Sequence, residues 1–178
     1  IELEGASDYS SFVAYSSQAI EIEIYKKIFI EFHEYVDQTL DQKEKEDLCS
    51  YNSETEISQK TKVNIRFLNN YFHDYILDEK KERKYTLGGM VNILKYLPNN
   101  ANRDSKPEYK LLGSLKYLNE FINNKMQIID RDLLNQLQIF AKLRNSAAHP
   151  GELSSEQAEE FWLKYKETIN SFIERISK

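Results

Sequence analysis

The chain has 178 residues, 40% of them apolar, with only 5 Gly and 3 Pro; that is enough for one domain with its own core and too few turn formers for an all-β chain. A net charge of -5 excludes a broad basic surface that grips nucleic acid through many phosphates, but not a small local site. No stretch approaches the roughly 18 apolar residues of a membrane span and no signal peptide is visible; the single cysteine, Cys49, fits a reducing, cytoplasmic setting.

The first long helical pattern covers 9–40. Phe12, Tyr15, Ala19, Ile22, Phe29, Phe32 and Val36 recur at helical spacing as one face, and Ile20, Ile24 and Ile28 form a second stripe that widens it. The polar segment 41–57 reads as a loop or frayed end. A second helix is expected over 58–78, with Ile65, Leu68, Phe72 and Ile76 on one face, followed by the mixed-charge, solvated run 78–84. A third, short helix over 86–97 contains Gly88-Gly89, which admits close approach of another backbone; without a Gly-Lys-Ser/Thr or a preceding strand it is not a phosphate loop. Pro98 and the stretch 99–104 break the chain. Pro107 then opens a fourth helix over 107–123, with Leu111, Leu115, Leu118 and Ile122 in register. Asp130 is placed to cap a fifth helix over 131–146. Ser154 and Gln157 form a capping-box pattern, with Leu153 and Ala158 as a staple. They open a last helix whose apolar face is Phe161, Trp162, Tyr165, Ile169, Phe172, Ile173 and Ile176. The expectation is an all-α helical bundle of about five to six helices. Because the first residue is Ile rather than Met, the chain is expected to be a single domain, 1–178, cut from a longer protein.

The fifth helix carries the informative feature. Leu133, Leu137 and Phe140 follow a core-facing stripe, and its next position is Arg144. A guanidinium there needs an anionic partner or a solvated cleft, since burying it alone costs several kcal/mol. His149 follows five residues later, before Pro150. On a continuous helix the two would diverge by roughly 140°. A residue preceding proline is pushed out of the α region, so the helix is expected to end near Ala148, leaving His149 free to turn back towards Arg144. With six Arg and three His in the chain, about 0.1 such pairs arise by chance; the helical setting and the polar Asn145 directly after Arg144 add to the bare spacing.

Arg144-Asn145-Ser146-Ala147-Ala148-His149 resembles the signature of the HEPN superfamily: Arg, a polar residue, further residues, then His. The resemblance rests on these six positions, with a compatible helical plan. It implies a helical domain that dimerises so that two motifs build one composite, metal-independent ribonuclease site. Arg144 and His149 would be the catalytic pair, Asn145 the polar residue that orients them, and Lys142 a possible RNA-binding group. It also implies an RNA substrate, a homodimer joined at the motif face, no metal or cofactor, and a setting in toxins, abortive infection or antiviral defence, with further domains or a cognate antitoxin as partners. Other members of the family are catalytically inactive dimerisation or partner- and nucleotide-binding modules, and that reading stays open beside the first. So does a bland one, in which Arg144 is an ion-pair partner near a helix end and His149 a cap.

His33 and His73 lack metal-ligand spacing and read as surface or structural histidines. Cys49 has no histidine nearby in sequence and reads as no nucleophile. Glu21, Glu23, Glu31 and Glu34 read as the solvated face of the first helix, one of them available to pair with Arg144. The twelve Tyr are expected to pack helices, with base stacking by an exposed ring as the alternative.

Overall fold

The computed structural model describes residues 10–51, 57–77, 85–98, 106–125, 131–147 and 154–176. A continuous helical rod begins with α1 (Ser10–Ile24), passes through a π-helical turn (Tyr25–Ile30) and continues as α2 (Glu31–Thr39). The π turn decides which residues face inward. Before it the buried positions are Val13, Ser17, Ile20 and Ile24; at it Ile28 and Phe29 are buried side by side; after it Phe32, His33 and Val36 are buried. An extra residue in a helical turn shifts the phase of everything that follows. The core-facing stripe therefore changes within the rod: Ile20, Ile24 and Ile28 serve the first half, and Phe29, Phe32 and Val36 the second. Of the stripe expected to be continuous, Tyr15 (72% exposed), Ala19 and Ile22 (41%) lie outside the core.

The segment expected as a loop contains a short helix, α3 (Gln42–Leu48). Its Asp41 carboxylate accepts the Glu44 N–H at 2.8 Å and the Glu44 carboxylate accepts the Asp41 N–H at 2.8 Å, a complete capping box. Helix α4 (Gln59–Ile76) starts at Ser58, whose hydroxyl accepts from the Thr61 N–H, and buries Ile65, Leu68, Phe72 and Ile76 as expected, with Tyr75 in addition. Helix α5 (Leu87–Leu94) is short and almost wholly apolar. The fourth expected helix is two: α6 (Pro107–Leu111) and α7 (Gly113–Lys125), separated at Leu112, whose extended backbone (φ -100°, ψ 114°) accompanies a fully buried side chain. Helix α8 (Arg131–Ala147) and helix α9 (Ser155–Ile176) complete the elements. Among the described residues every regular element is helical, so the fold is an all-α helical bundle with more segments than the five or six expected.

Helix α8 packs against α1, α5 and α9, and α2 against α4 and α7. Rings join these layers: Phe32 meets Phe72 edge-on at 6.4 Å and Phe121 at 5.6 Å, and Phe140 meets Phe161 edge-on at 5.1 Å. Each such pair adds about 0.5–1.5 kcal/mol beyond the area it buries. Polar ties among the described residues also join helices. Asn64 Nδ2 donates to the buried Glu108 carboxylate at 2.8 Å, joining α4 to α6. The buried Thr168 hydroxyl reaches Gln136 Oε1 at 3.1 Å, joining α9 to α8. At the start of α9 the Ala158 N–H donates to the Ser154 carbonyl at 3.0 Å, and Ala158 is buried. The expected Leu153 staple, the Asp130 cap, the charged run 78–84 and the break at 99–104 lie outside the described residues.

Candidate functional site

Helix α8 positions the motif. Leu133, Leu137 and Phe140 are buried as the stripe requires, and Leu134 and Ala141 join them. Position 144 continues that stripe one turn further on, within the last turn of α8; the Arg144 side chain and the whole of His149 lie outside the described residues. Lys142 and Asn145 are both exposed and both line one cleft. Of the motif-region residues singled out in the sequence, these two are brought together in the structure, and Gly88 and Gly89 line the same cleft.

The cleft has a volume of about 420 Å³ and lies between α8, α5 and the middle of α4. Helix α8 gives it Gln138, Ala141, Lys142 and Asn145; α5 and its flanks give Thr86, Gly88, Gly89, Val91, Asn92 and Lys95; α4 gives Phe67 and Tyr71. Its floor depends on the start of α5. The Thr86 hydroxyl accepts the Gly89 N–H at 3.2 Å, an N-cap bond. Glu21, reaching across from α1, accepts the Leu87 N–H at 2.7 Å. The carboxylate satisfies one of the free donors of a helix N-terminus and sits where the helix dipole favours negative charge. This corrects its expected place on a solvated face. Gly89 is needed for a close approach, though to a side chain and not to a backbone: a Cβ there would lie 2.9 Å from the Tyr71 hydroxyl oxygen. Gly88 faces α8 more loosely, with its nearest neighbour, the Ala141 Cβ, 4.0 Å from an added Cβ.

The walls are electrostatically one-sided. Lys95 and Lys142 line the cleft, and no carboxylate is among the described residues that line it, although the chain carries 29 Asp and Glu. Partial burial, with the positive charges of Lys106 and Lys142, lowers the Lys95 pKa from its ordinary value. The Lys95 ammonium donates to Gln138 Oε1 across the α5–α8 seam. Lys106 donates to the Lys95 carbonyl at 2.8 Å and sits over the Tyr96 ring. An anion here would relieve repulsion between like charges.

Phe67, Tyr71 and Lys95 are among the lining residues that went unnoticed in the sequence. Phe67 and Tyr71 are spaced i, i+4 and lie off the buried stripe of α4. An apolar pair on the polar side of a helix was a readable signal. Lys95, at the C-cap of α5, sits where a cation is ordinary, so nothing marked it.

The other reactive candidates lie away from the cleft. His33 is buried, stacks on Tyr75 at 5.2 Å and Tyr85 at 6.0 Å, and lies 3.4 Å from the Tyr85 hydroxyl through Nε2. His73 is exposed on α4. Cys49 is 4% exposed and burial pushes its thiol up to about 12, which leaves no thiolate for nucleophilic work near neutrality. Glu31 pairs with Lys27 and Lys125 at 3.9 and 3.6 Å. Among the described residues no group of three or more His, Cys, Asp or Glu is placed to hold a metal ion, and no helix is long and apolar enough to cross a membrane. Comparisons with protein-family models, with curated proteins and with solved structures return no match for this chain.

Proposed function

We propose that the chain is an HEPN-type, metal-independent endoribonuclease domain that acts as a homodimer, in the setting of a cytoplasmic toxin or anti-phage defence protein with further domains or an antitoxin as partners. The observation that supports it is the shared placement of Lys142 and Asn145 on a cleft rich in cationic and amide groups, at the motif end of α8 and within two residues of position 144.

In this reading the 2′-oxygen attacks the adjacent phosphorus as its proton passes to one imidazole. The bond to the 5′-oxygen breaks, and that oxygen takes a proton from a second imidazole. The products are a 2′,3′-cyclic phosphate and a 5′-hydroxyl. Histidine is the side chain that transfers protons in both directions near neutrality, and the guanidinium of Arg144 offers a donor fork matched to phosphate oxygens. One chain supplies one imidazole from the motif, so the reaction needs two copies. Exposed apolar side chains on three mutually packed helices, Tyr15 and Ile22 on α1, Ile139 on α8 and Leu163 on α9, offer surface for such a dimer.

The test is cleavage of a labelled RNA in EDTA by wild type, Arg144→Ala and His149→Ala. The expected result is cyclic-phosphate ends from wild type and a loss of at least a hundredfold in both variants. Equal cleavage by all three places the activity elsewhere. Absence of cleavage by wild type favours an inactive binding or dimerisation module.

A further inference from the structure

The cleft beside the motif has features that the cleavage chemistry does not use. Its volume of about 420 Å³ falls within the roughly 300–1,000 Å³ range of sites that hold one small molecule; it is too small to admit a second helix. One side is aromatic. Phe67 is 40% exposed, and its ring packs 4.8 Å from that of Tyr71, which is backed in turn by Tyr85 at 5.5 Å. Phe67 therefore offers the cleft an accessible ring, supported from behind by the half-buried Tyr71 and, through it, the buried Tyr85. The opposite side carries the two amines and the side-chain amides of Asn92, Gln138 and Asn145. A ligand that satisfies both sides must be planar and aromatic at one end and anionic at the other, with hydrogen-bonding groups along its length.

We propose that the cleft holds one nucleotide of an RNA strand, its base against Phe67 and its phosphate at the amines of Lys95 and Lys142. Its assignment to a strand rests on the ribonuclease reading, whereas the pairing of ring and amines does not. The site fixes which nucleotide stands beside the cleaved bond. Stacking on Phe67 is tolerant of base identity, because every base has a π-face; the amides of Asn92 and Gln138 are the groups able to read an edge. A phosphate at Lys95 and Lys142 replaces repulsion between two ammonium groups with attraction to both.

The experiment uses the full 178-residue chain and a fluorescein-labelled 2′-O-methyl hexaribonucleotide, which cannot form a cyclic phosphate and so reports binding alone. Polarisation titrations compare wild type with Phe67→Ala, Lys95→Gln, Lys142→Gln and, as a charge-matched control, Lys43→Gln on the exposed side of α3. We expect about tenfold weaker binding for each cleft variant and no change for Lys43→Gln. The salt dependence becomes shallower by about 0.7 in logarithmic slope per cleft lysine removed. A hexamer with one abasic position abolishes the difference between wild type and Phe67→Ala. Thermal melting identifies any variant that fails to fold; Lys142→Gln, altered at an exposed position, then carries the test.

Wild-type affinity retained by the cleft variants overturns the proposal, as does the absence of hexamer binding by wild type. Adenosine monophosphate that displaces the hexamer at equal concentration assigns the cleft to a free nucleotide and overturns the strand assignment. Cleavage of unmodified RNA by wild type is scored separately. Binding through the cleft without cleavage leaves this inference standing and removes the ribonuclease; cleavage with unaltered binding by the cleft variants does the reverse.

Discussion

The Glu21 carboxylate on α1 accepts the backbone N–H of Leu87 at 2.7 Å, so the first rod holds the start of α5 and with it the floor of the cleft. Sixty-six residues separate the two, and the bond is charge-assisted. Removing the carboxylate leaves a donor of the α5 N-terminus without its partner. Glu21→Ala is expected to lower stability by about 1–2 kcal/mol in urea denaturation. Faster amide exchange should appear at Leu87 and its neighbours, while α9 is unaffected. Unchanged exchange at the start of α5 would show that the bond does not organise it.

The two adjacent glycines are expected to behave oppositely. At Gly88 an added Cβ meets only the Ala141 Cβ at 4.0 Å, so Gly88→Ala gains about 0.5 kcal/mol from reduced backbone freedom in the unfolded chain. At Gly89 the added carbon meets the Tyr71 oxygen at 2.9 Å and the Thr86 Oγ1 at 3.3 Å. Gly89→Ala should therefore lose that gain and displace the Tyr71 ring. Tyr71→Phe combined with Gly89→Ala should recover part of it. Chemical denaturation of the four proteins measures each step, and equal effects at 88 and 89 would contradict the contact.

Burial of Cys49 sets a pH dependence. Its thiol is raised from about 9 to about 12, so the folded state favours the protonated form. The stabilisation is fully present below the unfolded value near 9 and drains away as pH rises towards 12. The buried Tyr85 hydroxyl, also pushed well above its usual value by burial, acts in the same direction. Stability by denaturant titration should fall from pH 9 to 11, with a smaller fall in Cys49→Ala. Near pH 8 Cys49 should react with an aromatic disulfide reagent only as fast as the chain unfolds.

Asn145 separates stability from function. It is exposed, so Asn145→Ala should change unfolding free energy by no more than about 0.5 kcal/mol. As the residue that orients the catalytic pair in the proposed dimer, it should cost about tenfold or more in cleavage rate. A drop in stability with no change in rate would make it a helix-end residue and nothing more.

The dimer is tested from its apolar surface. Leu163→Glu and Ile139→Glu place charges at positions 58% and 40% exposed in the isolated chain, so neither disturbs the core. If the composite site forms through this side, sedimentation equilibrium should show a weakened dimer and RNA cleavage should become concentration-dependent. Dimers that persist in both variants place the interface on another face.

The helical class and the inward faces of α4, α7 and α8 were readable because each has a single stripe at constant spacing. Two departures had local causes that a stripe does not report. Asp41 and Glu44 spell out a capping box, but α3 buries no residue and so has no apolar pattern to announce it. Leu112 breaks its helix where an extended backbone brings its side chain into the core, just before Gly113, a residue whose lack of a side chain leaves no mark on an apolar stripe. The cleft was legible only at Lys142 and Asn145, where it overlaps the motif, and at the Gly88-Gly89 pair. Phe67, Lys95 and Gln138 come from three helices scattered along the chain, and only packing makes them neighbours.

The π turn at Tyr25–Ile30 has a consequence for how length variation is tolerated in this rod. It holds one residue more than an α-helical path would need. Deleting a single position there would not shorten a loop but rotate Ser10–Ile24 by about 100° about its own axis. Ile20 and Ile24 would leave the core, and Glu21 would swing away from Leu87. The rod is thus keyed like a bolt: its two halves fit their neighbours only at one angular setting, and the spare residue sets it.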